Sequence, residues 1–317
     1  MDSPLSRLPV GPFTRSQALE AGITSRMLQG RGFVRLFPRV WRRADYEMTD
    51  AGWVSAARLA LPAHAHLTGI TRIQELGLDY GPRRPLHFVV AGDLHLAFDG
   101  VFLHRTKALA PLTDDDVCVE AAFMSYCVQA RVIDAIKVGD WLLHHEHMSL
   151  HRLEELAVGH PWRDGAYEAL WVLEHLDPDS WSLKESESRG VLVFAGLPRP
   201  ECNKELPEIV ERAVVADMLF RKYGLVVEYE GIPHQADRDQ YTKDLGRYAL
   251  MRAAGTPYVQ VTDEKLQRPR KFVNEVHVAL VARGYDGPAP FFGERWRSLF
   301  GSLRAAVGER DRARRTG

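Results

Sequence analysis

Cysteine is scarce in this chain. Three cysteines occur in 317 residues, Cys118, Cys127 and Cys202, and their spacing is neither that of a zinc site nor that of a redox pair. So sparse and odd a set excludes a disulfide-stapled scaffold and suits reduced thiols in a cytoplasm. No stretch approaches the ~18 consecutive apolar residues that a membrane span needs. The opening MDSPLSRLPV lacks the apolar core of a signal peptide. Internal repeats and low-complexity tracts are missing as well. Nor does one sign of charge dominate: 41 Lys and Arg stand against 42 Asp and Glu, a formal net charge of −1, so bulk charge names no partner. What is there, 45% hydrophobic and 26% charged residues, describes an ordinary globular chain. Its length allows roughly two or three domains. The expected setting is cytoplasmic, with no membrane association.

Local patterns say more than totals. Thr14 can cap a helix over Arg15–Gly22, with Gln17 as its reciprocal cap and Gly22 as its stop. A second helix starts at Thr24 or Ser25. A helix pair joined by a short Gly turn is a helix-turn-helix pattern, and Gly32–Arg42 alternates as a hairpin or wing would. Between Ile23 and Arg43 stand six arginines and no acid. This basic patch, with Arg26, Arg31, Arg35, Arg39 and Arg42 as candidate DNA-binding residues, suits phosphate contact; a solvated arginine face on a small helical cap is the plainer alternative.

Residues 53–165 carry no catalytic constellation. Trp53–Leu61, Val117–His147 and Leu150–Ala157 read as helices, and Leu86–Val90 and Gly100–His104 as strands. His144, His145, His147 and His151 lack zincin order and read as a solvated helix end. Asp114, Asp115 and Asp116 read as a helix N-terminal turn, where carboxylates suit the macrodipole.

The stretch from Val214 to His234 organises the rest. Val214–Leu219 is an apolar strand with one carboxylate, Asp217; Gly224 ends a turn; Leu225–Glu230 is a second strand carrying Glu228 and Glu230 at alternate positions, on one face. If the strands pair, Asp217 can lie beside Glu228. Gathered acids repel and raise one another's pKa, an arrangement that a hard divalent cation makes tolerable. Mg2+ or Mn2+ held by Asp217 and Glu228 would activate water and steady charge on a phosphate. The plainer reading is a pair of surface carboxylates on a hairpin.

These residues, with Glu185–Ser186 before a helix, Ala195–Pro200 (AGLPRP), Glu228–His234 (EYEGIPH) and a later helix bearing Asp244 and Arg247, resemble the endonuclease-domain proteins of the PD-(D/E)XK superfamily similar to very-short-patch-repair endonucleases. The resemblance covers about residues 166–280. Two positions depart from the pattern: Glu230 stands where the broader superfamily has Lys, and Gln260 stands where a basic residue is expected. Residues 10–45 resemble the winged-helix N-terminal domain of type IV (abortive-infection-type) antitoxins, and residues 53–165 the region that follows it.

The resemblance implies an α/β multi-domain chain: a winged helix over 1–52, an α+β middle region over 53–165, a restriction-endonuclease-like core with a mixed sheet over 166–285, and a basic tail over 286–317. It implies Glu185 as an active-site acid, although a Glu in a helix's first turn needs no such role. Glu230 then serves as a third ligand or positions water; His234 serves as general base or holds the scissile phosphate, or is a loop residue. Asp244 and Arg247 support the site or merely pair with each other. Glu187 reads as a solvated neighbour. The expected function is a magnesium-dependent endonuclease acting on DNA, with RNA open as substrate; the alternative is an antitoxin-like or regulatory DNA-binding protein on a degenerate nuclease scaffold. Oligomeric state is not legible.

Overall fold

The computed structural model describes residues 4–206, 213–230 and 248–308. His234, Asp244 and Arg247 lie outside the described residues, as does the tail beyond 308. The fold is mixed α/β, and no described helix is long and apolar enough to cross a membrane. The chain divides into two compact units, Met1–Ser125 and Tyr126–Gly317. Residues 126–165, grouped above with the middle region, thus fall in the second unit.

In the first unit, Thr14 caps α1 (Arg15–Glu20) with the full reciprocal box: its hydroxyl accepts from Gln17 N, and Gln17 Oε1 accepts from Thr14 N at 2.8 Å. Thr24 caps α2 (Ser25–Leu28). The short strand β1 (Phe13–Thr14) joins the hairpin β2 (Phe33–Phe37) and β3 (Val40–Arg43) in a three-stranded sheet of order β1-β3-β2. Phe13, Ala18, Ile23 and Leu28 form its small core against Phe33 and Trp41. Next come α3 (Asp50–Ala60), β4 (His66–Leu67), α4 (Gly69–Glu75), β5 (Leu86–Ala91) and β6 (Val101–Thr106); β5 pairs antiparallel with β4 and parallel with β6.

The Asp114–Asp116 run is not a helix start. Asp114 and Asp115 take left-handed φ of 55° and 65° in the tight turn between β7 (Leu112–Thr113) and β8 (Asp116–Val117). Such a turn needs positive φ at both central residues, and Asp is among the few side chains that tolerate it. Asp116 is buried, accepting from Leu67 N at 2.6 Å and pairing with Arg58 at 2.5 Å. The long helix expected over Val117–His147 is two, α5 (Val119–Cys127) and α6 (Val132–His144).

The second unit continues with α7 (Leu150–Gly159), α8 (Ala166–Leu173) and α9 (Leu183–Phe194). α9 packs on α6 closely enough that a Cβ on Gly190 would stand 2.8 Å from Ile133 Cδ1. The Asp177–Ser180 segment before α9 is tied down: Asp177 N donates to buried Asp140 at 2.7 Å, and Lys204 pairs with Asp179 at 2.5 Å. A further strand, β9 (Glu201–Glu205), which no sequence pattern announced, precedes β10 (Val215–Phe220) and β11 (Leu225–Tyr229). Gly224, at φ 55°, closes the turn between the last two. Residues 248–253 are helical (α10), followed by β12 (Tyr258–Val261), α11 (Asp263–Leu266), α12 (Pro269–Ala282) and α13 (Glu294–Leu299). The sheet order is β12-β11-β10-β9, antiparallel except for the parallel β11–β12 pair. Leu219, Val226, Tyr248 and Met251 pack one core of this unit.

Candidate active site

The central strands of this sheet carry the two acids singled out above. β10 and β11 pair with Met218 opposite Val227, so the next step sets Asp217 opposite Glu228. The side chains and backbone interlock: Asp217 N donates to Glu228 Oε1 at 3.2 Å, and Tyr229 N donates to Asp217 Oδ2 at 2.7 Å. Glu228 is fully buried, at 0% exposure, and Asp217 is half-buried. Val226 and Val227, both fully buried, precede Glu228 in β11, so that carboxylate sits in surroundings of low polarity where charges act strongly. The surface-hairpin reading therefore fails.

The same register extends across the sheet. Cys202 faces Met218 and Lys204 faces Ala216, which brackets Asn203 opposite Asp217; Glu228 faces Gln260. Asn203, Asp217, Glu228 and Gln260 thus form one polar row over four strands. Asn203, at φ 47°, was not foreseen; Asn is one of the residues that accept that backbone region. Its amide donates to Glu185 Oε2 at 2.6 Å and to Asp179 O at 2.7 Å.

Glu185 is buried in the first turn of α9, where Ser182 Oγ caps its N–H at 3.1 Å. Its carboxylate reaches back to Trp181 N at 2.9 Å as well as to Asn203. Those bonds are structural, and they join the start of α9 to β9. Glu230 is exposed; its N–H donates to Val261 O at 2.8 Å. Among the described residues no group of three or more His, Cys, Asp or Glu is set to hold a metal ion. The donor set is instead the two-carboxylate pair. It fits a hard cation, because Mg2+ is commonly held by one or two carboxylates while it keeps several waters.

Glu187 is not a solvated neighbour. It pairs at 2.9 Å with Lys137 of α6, whose side chain is 8% exposed. A lysine that far from solvent is uncommon without such a partner. Its only trace in the sequence is a Lys inside the apolar run of α6.

In the first unit, Arg26, Arg31, Arg35 and Arg39 are exposed. Arg42 is not available in the same way: its guanidinium donates to the carbonyls of Arg43, Ala44 and Tyr46, the last at 2.7 Å. Arg43 pairs with Asp45. Comparison with protein families, with curated proteins and with solved structures found no match to this chain.

Proposed function

We propose that the chain is a metal-dependent DNA endonuclease, with a restriction-endonuclease-like core in its second unit and a winged helix at its start for targeting. The observation that supports this most is the facing of Asp217 and Glu228 on the two central strands, one fully buried and the other half-buried. In this reading Asp217 and Glu228 hold Mg2+ or Mn2+. The bound cation would supply water activation and stabilisation of charge on the scissile phosphate. Backbone N–H groups fix one oxygen of each acid, which sets their spacing before any cation arrives. Glu185 positions α9 against β9 through Asn203, and Glu230 and His234 assist. Arg26, Arg31, Arg35 and Arg39 offer exposed cations to the phosphate backbone.

One observation favours a second reading, a DNA-binding protein whose nuclease-like unit is only a scaffold: the Glu185 carboxylate is engaged by Trp181 N and the Asn203 amide at the start of α9. Incubating the protein with plasmid, single-stranded DNA and RNA in Mg2+, Mn2+ or EDTA separates the readings. Cleavage in the cations and none in EDTA is expected. Cleavage of none of the three, with DNA still bound, favours the scaffold; cleavage of RNA alone moves the substrate and keeps the chemistry.

A further inference from the structure

Where α6 stops and α9 starts, five flat side chains gather. Trp141 stacks on His145 with ring centroids 4.4 Å apart, and His147 lies 5.4 Å from the same indole. His145 and His147 are parallel to within 10° at 6.1 Å. His144 stands edge-on to His145 at 5.0 Å and lies 6.0 Å from Trp181, with 31° between those planes. The solvated helix end expected of these histidines is thus packed ring against ring. These contacts account for Trp141, whose partners sit at the end of its own helix. They do not account for Trp181, which is 51% exposed and whose ring contact among the described residues is with His144. Its backbone is nonetheless firmly held. Trp181 N donates to Glu185 Oε2 at 2.9 Å, and the preceding residue, Ser180, is buried with its hydroxyl 2.9 Å from that of Ser186. A large apolar ring is therefore kept in water on a fixed support.

Its place gives the ring a partner. The same Glu185 oxygen accepts from the Asn203 amide at 2.6 Å, and Asn203 stands opposite Asp217. One carboxylate oxygen thus ties the backbone of Trp181 to the row of Asn203, Asp217, Glu228 and Gln260. The charges that flank Trp181 are paired, Asp179 with Lys204 and Lys184 with Asp263, each at 2.5 Å. What is offered beside the acids is a ring face rather than a field of one sign. We propose that Trp181, with the histidine rings behind it, is a stacking site for an unpaired base of a single-stranded DNA segment at the Asp217–Glu228 site. Bases within a duplex already cover one another, whereas an unpaired base has a free face, and an aromatic ring takes it whatever its identity. The choice of DNA as partner rests on the nuclease reading.

The test uses the full chain in EDTA, as wild type, Trp181→Ala, Trp181→Phe and, as a control at an equally exposed indole, Trp162→Ala. Fluorescence anisotropy gives dissociation constants for a labelled oligothymidine and for an abasic strand of the same length, over a range of salt. The two strands carry the same phosphates and differ in their bases. Wild type should bind the oligothymidine about tenfold more tightly than the abasic strand, the order of effect that one stacked base supplies. Trp181→Ala should lose most of that preference with an unchanged salt slope, because no phosphate contact is removed. Trp181→Phe keeps a ring and should retain much of the preference, and Trp162→Ala should retain all of it. An unaltered preference in Trp181→Ala overturns the proposal, and so does an equal loss in Trp162→Ala. Binding is read without a cation, so the two readings fail separately. A wild type that prefers the bases but cleaves nothing in Mg2+ or Mn2+ counts against the nuclease; one that cleaves but shows no preference overturns the stacking site.

Discussion

His175 lies between the rings of Trp171 and Phe194, 4.6 and 4.9 Å away, and burial, followed by the charge of Arg295, brings its pKa down to about 4. Unfolded, the imidazole takes a proton near its ordinary value; folded, it resists until about 4. Its contribution to stability is therefore complete above the ordinary value and is lost as pH falls toward 4. His175→Phe, which keeps a ring and cannot titrate, should lessen the fall in melting temperature over that window; an identical fall in both proteins would assign the acid sensitivity elsewhere. Asp140 works in the opposite direction. Burial lifts it to about 6 against the pull of Arg189, so its contribution falls as pH rises from its ordinary value through 6. At neutral pH the Asp140–Arg189 pair, 2.6 Å apart and 0% and 2% exposed, is a buried ion pair. Arg189→Met strands the carboxylate and is expected to cost about 3–5 kcal/mol in a denaturant titration, the usual result of removing one partner from such a pair. A loss under about 1 kcal/mol would mean that Asp177 N and Ser186 satisfy Asp140 without the arginine.

Among the elements, α9 does the most joining, and Glu185 at its start has two candidate roles that substitution separates. Glu185→Gln keeps an acceptor for Trp181 N and the Asn203 amide, whereas Glu185→Ala leaves both donors without it. If the role is structural, Gln should cleave nearly as wild type, and Ala should lose roughly 1–3 kcal/mol of stability. Loss of cleavage in Glu185→Gln at unchanged stability would restore the catalytic role. The β2–β3 hairpin carries its own test. Replacing exposed Arg35 and Arg39 by Ala should weaken DNA binding and flatten its salt dependence by up to ~0.9 for each phosphate that is no longer neutralised. An unchanged slope would remove the hairpin from the interface.

These elements also show what the sequence allowed to be read. Both caps at Thr14 and Thr24, and the juxtaposition of Asp217 and Glu228 once their strands pair, followed from local rules, since a cap or a strand's alternation is fixed by a few neighbours. β9 was missed because ECNKE is polar and holds its place through Cys202 and the partners of Asn203 rather than through an apolar pattern. The ion pair of Glu187 with Lys137 joins residues 50 apart, and the binding of Asn203 by Glu185 joins residues 18 apart; neither leaves a periodic signal.

For the molecule as a whole, the boundary after Ser125 makes the second unit, rather than residues 166–285, the piece expected to fold alone. A fragment of residues 126–308 keeps α6 and α13 on α9, and the buried Asp140–Arg189 pair with them. It should melt cooperatively, because these contacts all lie within one compact unit of ordinary domain size. The shorter fragment cuts Arg189 from Asp140 and should be molten or aggregated; a cooperative melt for it would show that α6 is dispensable. The most direct measurement of the central claim is thermal melting of the full chain in EDTA and in millimolar Mn2+, beside DNA cleavage, for wild type and Asp217→Asn. A cation that binds only the folded state at a hundred times its Kd adds about 2.7 kcal/mol. Wild type should melt higher in Mn2+ and cleave DNA. Asp217→Asn keeps an acceptor for Tyr229 N and sheds a charge beside Glu228, so it should melt as high as wild type or higher in EDTA, lose the Mn2+ shift, and bind DNA without cutting it. An Asp217→Asn protein that cleaves as fast as wild type and keeps its Mn2+ shift would contradict the metal site.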